Sequence, residues 1–260
     1  MRRRLPLAAL VLSALVACGG GGSTATTTSN APTASQPTAT ANPTAVPSTA
    51  SVTGSPTPGP TVAPVLPAGV PPTYGRDVPP GDVPLKALVP KGSRVEGSWY
   101  ATTPGGDAIV VAFAQPSADP FRAERGFVVW RRFGDAPPWR ALYGVDHAAE
   151  DGVMTTQVLT GDLTGDGSPD ALVNEVTGGS GSCGTWRVVD LATGTEIWRR
   201  SLCDARITPS AHPVGLEITE AVFAPGDAHC CPSAFRTTVL TYAGGGRWTV
   251  ASKTVTPTGA

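Results

Sequence analysis

Oxygen-bearing side chains occupy alternate positions in one short stretch of the chain: Asp162, Thr164, Asp166, Ser168 and Asp170. A hard cation such as calcium takes about six to eight oxygens, and a tight loop with an oxygen at every second residue can aim several at one centre. Gly165 and Gly167 permit the sharp turn, because glycine reaches positive φ without steric cost. Pro169 stiffens the exit by fixing φ. Three carboxylates so close together repel unless something neutralises them. A second concentration of chemistry is Asp227-Ala-His-Cys-Cys-Pro-Ser233. Its His229, Cys230 and Cys231 offer a soft-metal or redox set. No Cys-x-x-Cys spacing or second His/Cys cluster accompanies them, so the plainer reading is a structural staple in a loop. His147 and His212 are read as solvated loop histidines. Without a Gly-x-Ser-x-Gly elbow or a zinc-protease helix, no residue is assigned as catalytic.

The elements that must hold these loops read as strands. Short β-rich runs separated by Gly, Pro and Asp span 94–101, 108–114, 126–132, 139–144, 154–161, 171–176, 185–190, 196–202, 215–224, 235–242 and 248–254. No helical periodicity outlasts two turns. The expectation is an all-β antiparallel meander of about 10–12 short strands, as a barrel or sandwich or a small propeller-like array. Three units with a period of about 60 residues each combine a Gly-Asp turn with a tryptophan-bearing hairpin. The turns are Gly105-Gly-Asp107, Gly165-Asp166-Gly167 and Gly226-Asp227, and the hairpins span Phe127–Tyr143, Trp186–Arg200 and Phe235–Val250. Three blades are too few for an ordinary closed propeller, which favours a barrel-like or sandwich meander. Trp99, Trp130, Trp139, Trp186, Trp198 and Trp248 fall on strands and read as core rather than as a glycan-stacking face.

With strands on both sides, the Asp162–Asp170 loop resembles the calcium loop of FG-GAP and VCBS repeats, found in integrin-α-like propellers and bacterial surface proteins. The resemblance covers roughly one repeat, about 40 residues. It implies that Asp162, Thr164, Asp166, Ser168 and Asp170 hold calcium. Val173 stands where an EF-hand loop needs a bidentate glutamate, which sets that loop type aside. Thr164 replaces the family's usual Asn or Asp, so the expected affinity is weak, about 10⁻⁴–10⁻³ M. The metal-free alternative is a plain Asp/Gly turn.

Arg2, Arg3 and Arg4 precede an apolar run from Leu5 to Val16, too short to span a membrane, and Leu15-Val16-Ala17-Cys18 follows. This arrangement resembles the lipobox of bacterial lipoproteins. It implies a signal peptide over residues 1–18, cleavage before Cys18, acylation (palmitate among the chains) of Cys18, and a membrane anchor on the extracytoplasmic face. Residues 19–76 are almost all Gly, Ser, Thr, Ala and Pro, and cannot bury enough apolar surface to offset their ordering entropy. They read as a disordered linker that reaches on the order of 170 Å at about 3.1 Å per residue. Residues 77–260 form the expected extracytoplasmic all-β domain. All 20 acidic residues lie there and three of the 19 basic residues lie in the leader, so the domain is net acidic and nucleic acid is excluded as a partner.

Beyond Cys18 the cysteines are Cys183, Cys203, Cys230 and Cys231. If Gly194 takes the left-handed position of a three-residue turn, Leu191 faces Thr195, and Cys183 faces Cys203 at the open end of that hairpin. The expected disulfide is Cys183–Cys203. Cys230 and Cys231 are then a vicinal disulfide or two thiols, with pairing of either to Cys183 or Cys203 left open. The Asp-x-x-Cys-Cys-Pro-Ser stretch is similar to one in uncharacterised bacterial surface lipoproteins, a likeness that implies no activity. The expected function is a non-catalytic cell-surface binding module for an envelope protein or glycan, stabilised by calcium. The alternative is an envelope enzyme or redox or metal protein using His229, Cys230 and Cys231.

Overall fold

The computed structural model describes residues 65–75, 78–134, 136–179 and 181–259. The expected signal peptide, Cys18 and most of the expected linker lie outside the described residues. In chain order the strands are β1 (Thr73–Tyr74), β2 (Arg94–Thr103), β3 (Gly106–Ala114), β4 (Arg125–Phe133), β5 (Ala136–His147), β6 (Val153–Gly161), β7 (Asp170–Thr177), β8 (Gly184–Asp190), β9 (Thr195–Leu202), β10 (Ala205–Ala211), β11 (Val214–Val222), β12 (Ala234–Tyr242) and β13 (Trp248–Pro257). The only helices among the described residues are single 3₁₀ turns. The strands form three antiparallel sheets, ordered β1-β5-β4-β3-β2, β6-β7-β8-β9 and β10-β11-β12-β13. None closes into a barrel, so of the expected all-β meander arrangements the barrel is the one not realised. The three units are separate four-stranded meanders, the first joined by β1.

The reason for open sheets lies in the two faces of the central strands. Along β3, Ile109, Val111 and Phe113 point to one core, and Ala108, Val110 and Ala112 to another. A continuous apolar run is what a strand buried on both faces requires. The first core lies between the first sheet and the segment before β2, where Val70, Val83, Leu88 and Val89 cover Trp130 and Trp139. Trp130 Nε1 donates to Leu88 O at 2.9 Å. The second core joins Phe127 and Val129 to Val158, Ala171, Val173 and Val189 of the second sheet. The third joins Leu163, Leu172 and Val188 to Ile207, Leu216 and Ile218 of the third. Each such fully buried side chain contributes about 1.5–3 kcal/mol. All six tryptophans belong to or pack against these clusters, as core residues.

Several sequence expectations need correction. Residues 65–75, assigned to the linker, are folded: β1 pairs with β5, Val70 is buried, and Leu66 and Tyr74 pack on the first core. Their sparse apolar residues among prolines serve as a cover rather than as a core of their own. Strand β10 is missing from the expected set because Pro209 interrupts it. Pro209 is tolerated there because β10 is an edge strand. The hairpins align across the three units, each joining the third and fourth strands. The third Gly-Asp turn does not align: Gly226-Asp227 lies between β11 and β12, whereas Gly105–Asp107 and Gly165–Gly167 lie between the first two strands of their units.

The Cys183–Cys203 disulfide is present. Its register differs from the expected route. Asp190, not Leu191, pairs with Thr195, and the turn closes with Gly194 N donating to Asp190 O at 2.8 Å. A bulge between Val188 and Val189 then shifts the ladder by one residue, so Gly184 faces Leu202 and the cysteines meet.

Candidate functional site

The Asp162–Asp170 loop joins β6 to β7 and turns through Gly165 and Gly167, at φ 79° and 83°. Leu163 plugs the third core, and a Cβ on Gly165 would stand 3.8 Å from Val214 at the start of β11. The loop is thus fixed where the second sheet meets the third. Asp162 Oδ1 accepts from Gly165 N at 2.6 Å, and its Oδ2 from Gly167 N at 2.9 Å. Asp166 Oδ1 accepts from Ser168 N at 2.8 Å. Asp170 is 2% exposed, and its Oδ2 accepts from Leu163 N at 2.9 Å and Thr164 N at 3.2 Å. Burial pushes the Asp170 carboxyl up to about 7, with Asp190 and Asp166 adding repulsion against the Leu163 hydrogen bond. Asp190 faces Asp170 across the ladder and is itself held by Ala192 N and the Thr193 hydroxyl, each at 2.7 Å.

Ser168 Oγ is buried without a partner, and Thr164 Oγ1 is buried with only the Asp170 carboxylate beside it, outside ordinary hydrogen-bond geometry. Buried polar atoms normally find one. Buried acceptors, a buried carboxylate and two neighbouring carboxylates without a nearby cation fit a bound hard cation. Among the described residues no three His, Cys, Asp or Glu side chains stand ready together around an ion. The carboxylates lean on backbone N–H groups, so a cation would share those oxygens, along with the hydroxyls, rather than enter a preformed all-carboxylate cage. Beside the loop, Leu159 is 49% and Val214 39% exposed.

Asp227 organises the second loop. Its Oδ2 accepts from the Ser233 hydroxyl at 2.5 Å, Ala224 N at 2.7 Å and Ser233 N at 3.0 Å, and these bonds, the hydroxyl foremost, hold its carboxyl below the usual range. Cys231 N donates to Ala228 O at 2.9 Å. Cys230 and Cys231 are exposed free thiols with their Sγ atoms 2.8 Å apart, and this contact raises the Cys231 thiol above its ordinary value. His229 Nε2 lies 3.6 Å from Asp204 Oδ2, and its ring stands 5.4 Å from that of Phe223. A Cβ on Gly181 would meet His229 Nε2, Cys183 Sγ and Asp204 Oδ2, all within 4 Å, so the histidine sits against the disulfide clasp. The two loops are separate sites, and His212 is exposed in the turn between β10 and β11.

A buried charge network went unread in the sequence. His147, taken for a solvated loop residue, ends β5 and reaches Glu175 Oε1 at 2.6 Å. Glu175, 1% exposed on β7, also accepts from Arg187 Nε at 2.7 Å. Arg187 Nη1 donates to Glu196 Oε2 at 2.6 Å, and the Tyr143 hydroxyl donates to the same oxygen at 2.5 Å. Asp151 approaches the other His147 nitrogen at 3.5 Å. The Glu175 hydrogen bond raises the His147 pKa against the opposing effect of burial. Burial first, then the Glu196 bond, raises that of Tyr143. The available signal was a charge inside an apolar strand, Glu175 among Val173 and Val176 and Arg187 beside Val188 and Val189. Such a charge needs a partner.

No family model matches the chain, and no curated protein matches it. Among solved structures, the crystal structure of the rhamnogalacturonan lyase YesW is similar at a TM-score of 0.37 and 10% identity, over 63% of this chain and 34% of that one. A likeness at that level carries no statement about activity.

Proposed function

We propose that this chain is a lipid-anchored, non-catalytic binding module on the extracytoplasmic face of a bacterial membrane, with calcium held by the Asp162–Asp170 loop. The observation that carries the calcium reading is the loop's surplus of buried oxygens, the Asp170 carboxylate together with the unpartnered Ser168 hydroxyl. A bound calcium would supply the missing countercharge, shared among Asp162, Thr164, Asp166, Ser168 and Asp170. Leu163 ties the loop to the third core and Gly165 lies against Val214, so the loop's order propagates to the start of β11. The exposed Leu159 and Val214 offer an apolar contact beside it for an envelope protein or glycan. The anchor reading rests on the Arg2–Arg4, Leu5–Val16 and Cys18 arrangement.

Calcium binding to the folded state alone raises stability by about 1.4–2.7 kcal/mol at about 10–100 times Kd. In the full chain carrying Cys18→Ala, made without lipid, about 10 mM calcium is therefore expected to raise Tm by about 3–11 °C. Asp166→Ala should remove the rise. An unchanged Tm in the parent protein makes the loop a plain turn. Cys18→Ala should also move the protein from membrane to soluble fractions, and retention in the membrane refutes the anchor.

A further inference from the structure

The Asp227–Ser233 loop holds more chemistry than a staple requires. Its two thiols are exposed and touch each other at 2.8 Å, while the chain's structural disulfide is already made elsewhere, between Cys183 and Cys203. The loop is built to keep them so. Asp227 takes three hydrogen bonds from its two ends, and the Cys231 N to Ala228 O turn fixes the pair from within. Ser233 O accepts from Thr258 N at 2.9 Å, which ties the far end to the strand β13 terminus. On the near side, His229 is pinned between Asp204 and Phe223. Two thiols held in contact react as one unit, because the second stands ready to resolve any mixed disulfide formed by the first.

We propose that Cys230 and Cys231 form a redox site, a dithiol that closes reversibly to a vicinal disulfide by exchange with a low-molecular-weight disulfide. The thiolate of one cysteine attacks a sulfur of the external disulfide, forming a mixed disulfide and releasing one thiol. The sulfur of the other cysteine then displaces the second thiol and bonds to its neighbour. The pair loses two electrons and two protons, and the external disulfide gains them as two thiols. Cys183–Cys203 does not take part. The site is independent of the calcium loop and of the anchor.

The test equilibrates the full chain with glutathione buffers of graded ratio, followed by acid quenching, alkylation and peptide mapping. Cys230 and Cys231 should become protected together, as one internally crosslinked peptide. The ratio of reduced to oxidised protein should follow the square of reduced glutathione over its disulfide, the dependence that release of two thiols demands. Cys230→Ser and Cys231→Ser should each stop at a glutathione adduct on the remaining cysteine. Phenylarsine oxide, which needs two adjacent thiols, should bind the reduced protein and be lost completely from the oxidised protein and both variants. Independent alkylation of the two cysteines across all buffers would overturn the proposal. So would a stable glutathione adduct on the parent protein, a crosslink to Cys183 or Cys203, or arsenical binding that survives either serine variant.

Discussion

Glu175 illustrates how much a single buried side chain demands of its surroundings. A carboxylate almost removed from water persists as an ion only if paired, and Arg187 and His147 both serve it. His147 faces Glu175, Asp151 and, beyond Glu175, Arg187, and its folded pKa is raised. A raised histidine pKa means that the stabilising contribution is complete below the unfolded value of about 6.5 and is lost as pH rises through the folded value. Urea denaturation from pH 6 to pH 9 should therefore show stability falling with pH, and His147→Gln should flatten that slope. The Asp170 contribution is common to both proteins, so the difference between them isolates His147. An identical slope in the variant would place the titration elsewhere. This contact was illegible in the sequence because its partners lie on β7 and β8 of another sheet, and no local pattern encodes that approach. The Asp162–Asp170 and Cys230–Cys231 groups were legible for the opposite reason: their members are neighbours in the chain.

The β8–β9 hairpin shows which features of an element its sequence carries. Gly194 sits at φ 73°, the left-handed region its place in the turn suggests. The disulfide at the open end is present as expected, but it is the bulge that brings Cys183 opposite Cys203. The Val188–Val189 bulge is not carried by the sequence, since nothing in an alternating apolar strand marks where a residue is inserted. Tertiary packing decides it: the turn must reach the first sheet, where Arg131 Nη1 donates to Ala192 O. A Cβ at residue 194 would stand 2.4 Å from Leu142 Cβ. Gly194→Ala should then cost about 2–4 kcal/mol, from left-handed backbone strain and from overpacking against β5. Chemical denaturation measures it; a cost of only about 1–2 kcal/mol would show that the contact relaxes and the backbone strain alone remains, and a smaller one would refute both causes. The strands β1 and β10 escaped notice because proline-bearing edge segments look like loops until a partner strand is known.

At the scale of the molecule, three meanders follow one another in the chain; β3 and β7 are buried on both faces, and the third sheet packs its Leu216 and Ile218 face on the second. The all-β class and the three-unit repeat were legible from strand spacing. The arrangement was not, because a closed and an open meander share the same alternation. Open sheets leave edges, and an exposed edge offers unpaired N–H and C=O groups to any other strand. Strand β10 is such an edge, and its Pro209 was the residue that hid it from the sequence reading. A proline withholds the donor that a docking strand would need. Across the same sheet, the other edge carries Lys253 within β13, a charge that an incoming strand would have to desolvate. Pro209→Val should leave the monomer folded yet shorten its lifetime in concentrated solution, seen as light scattering that grows over hours. Unchanged scattering would show that Pro209 is not what guards the β10 edge. The imino acid that breaks the strand's sequence signature is thus what keeps β10 from becoming the template for a neighbouring copy's next strand.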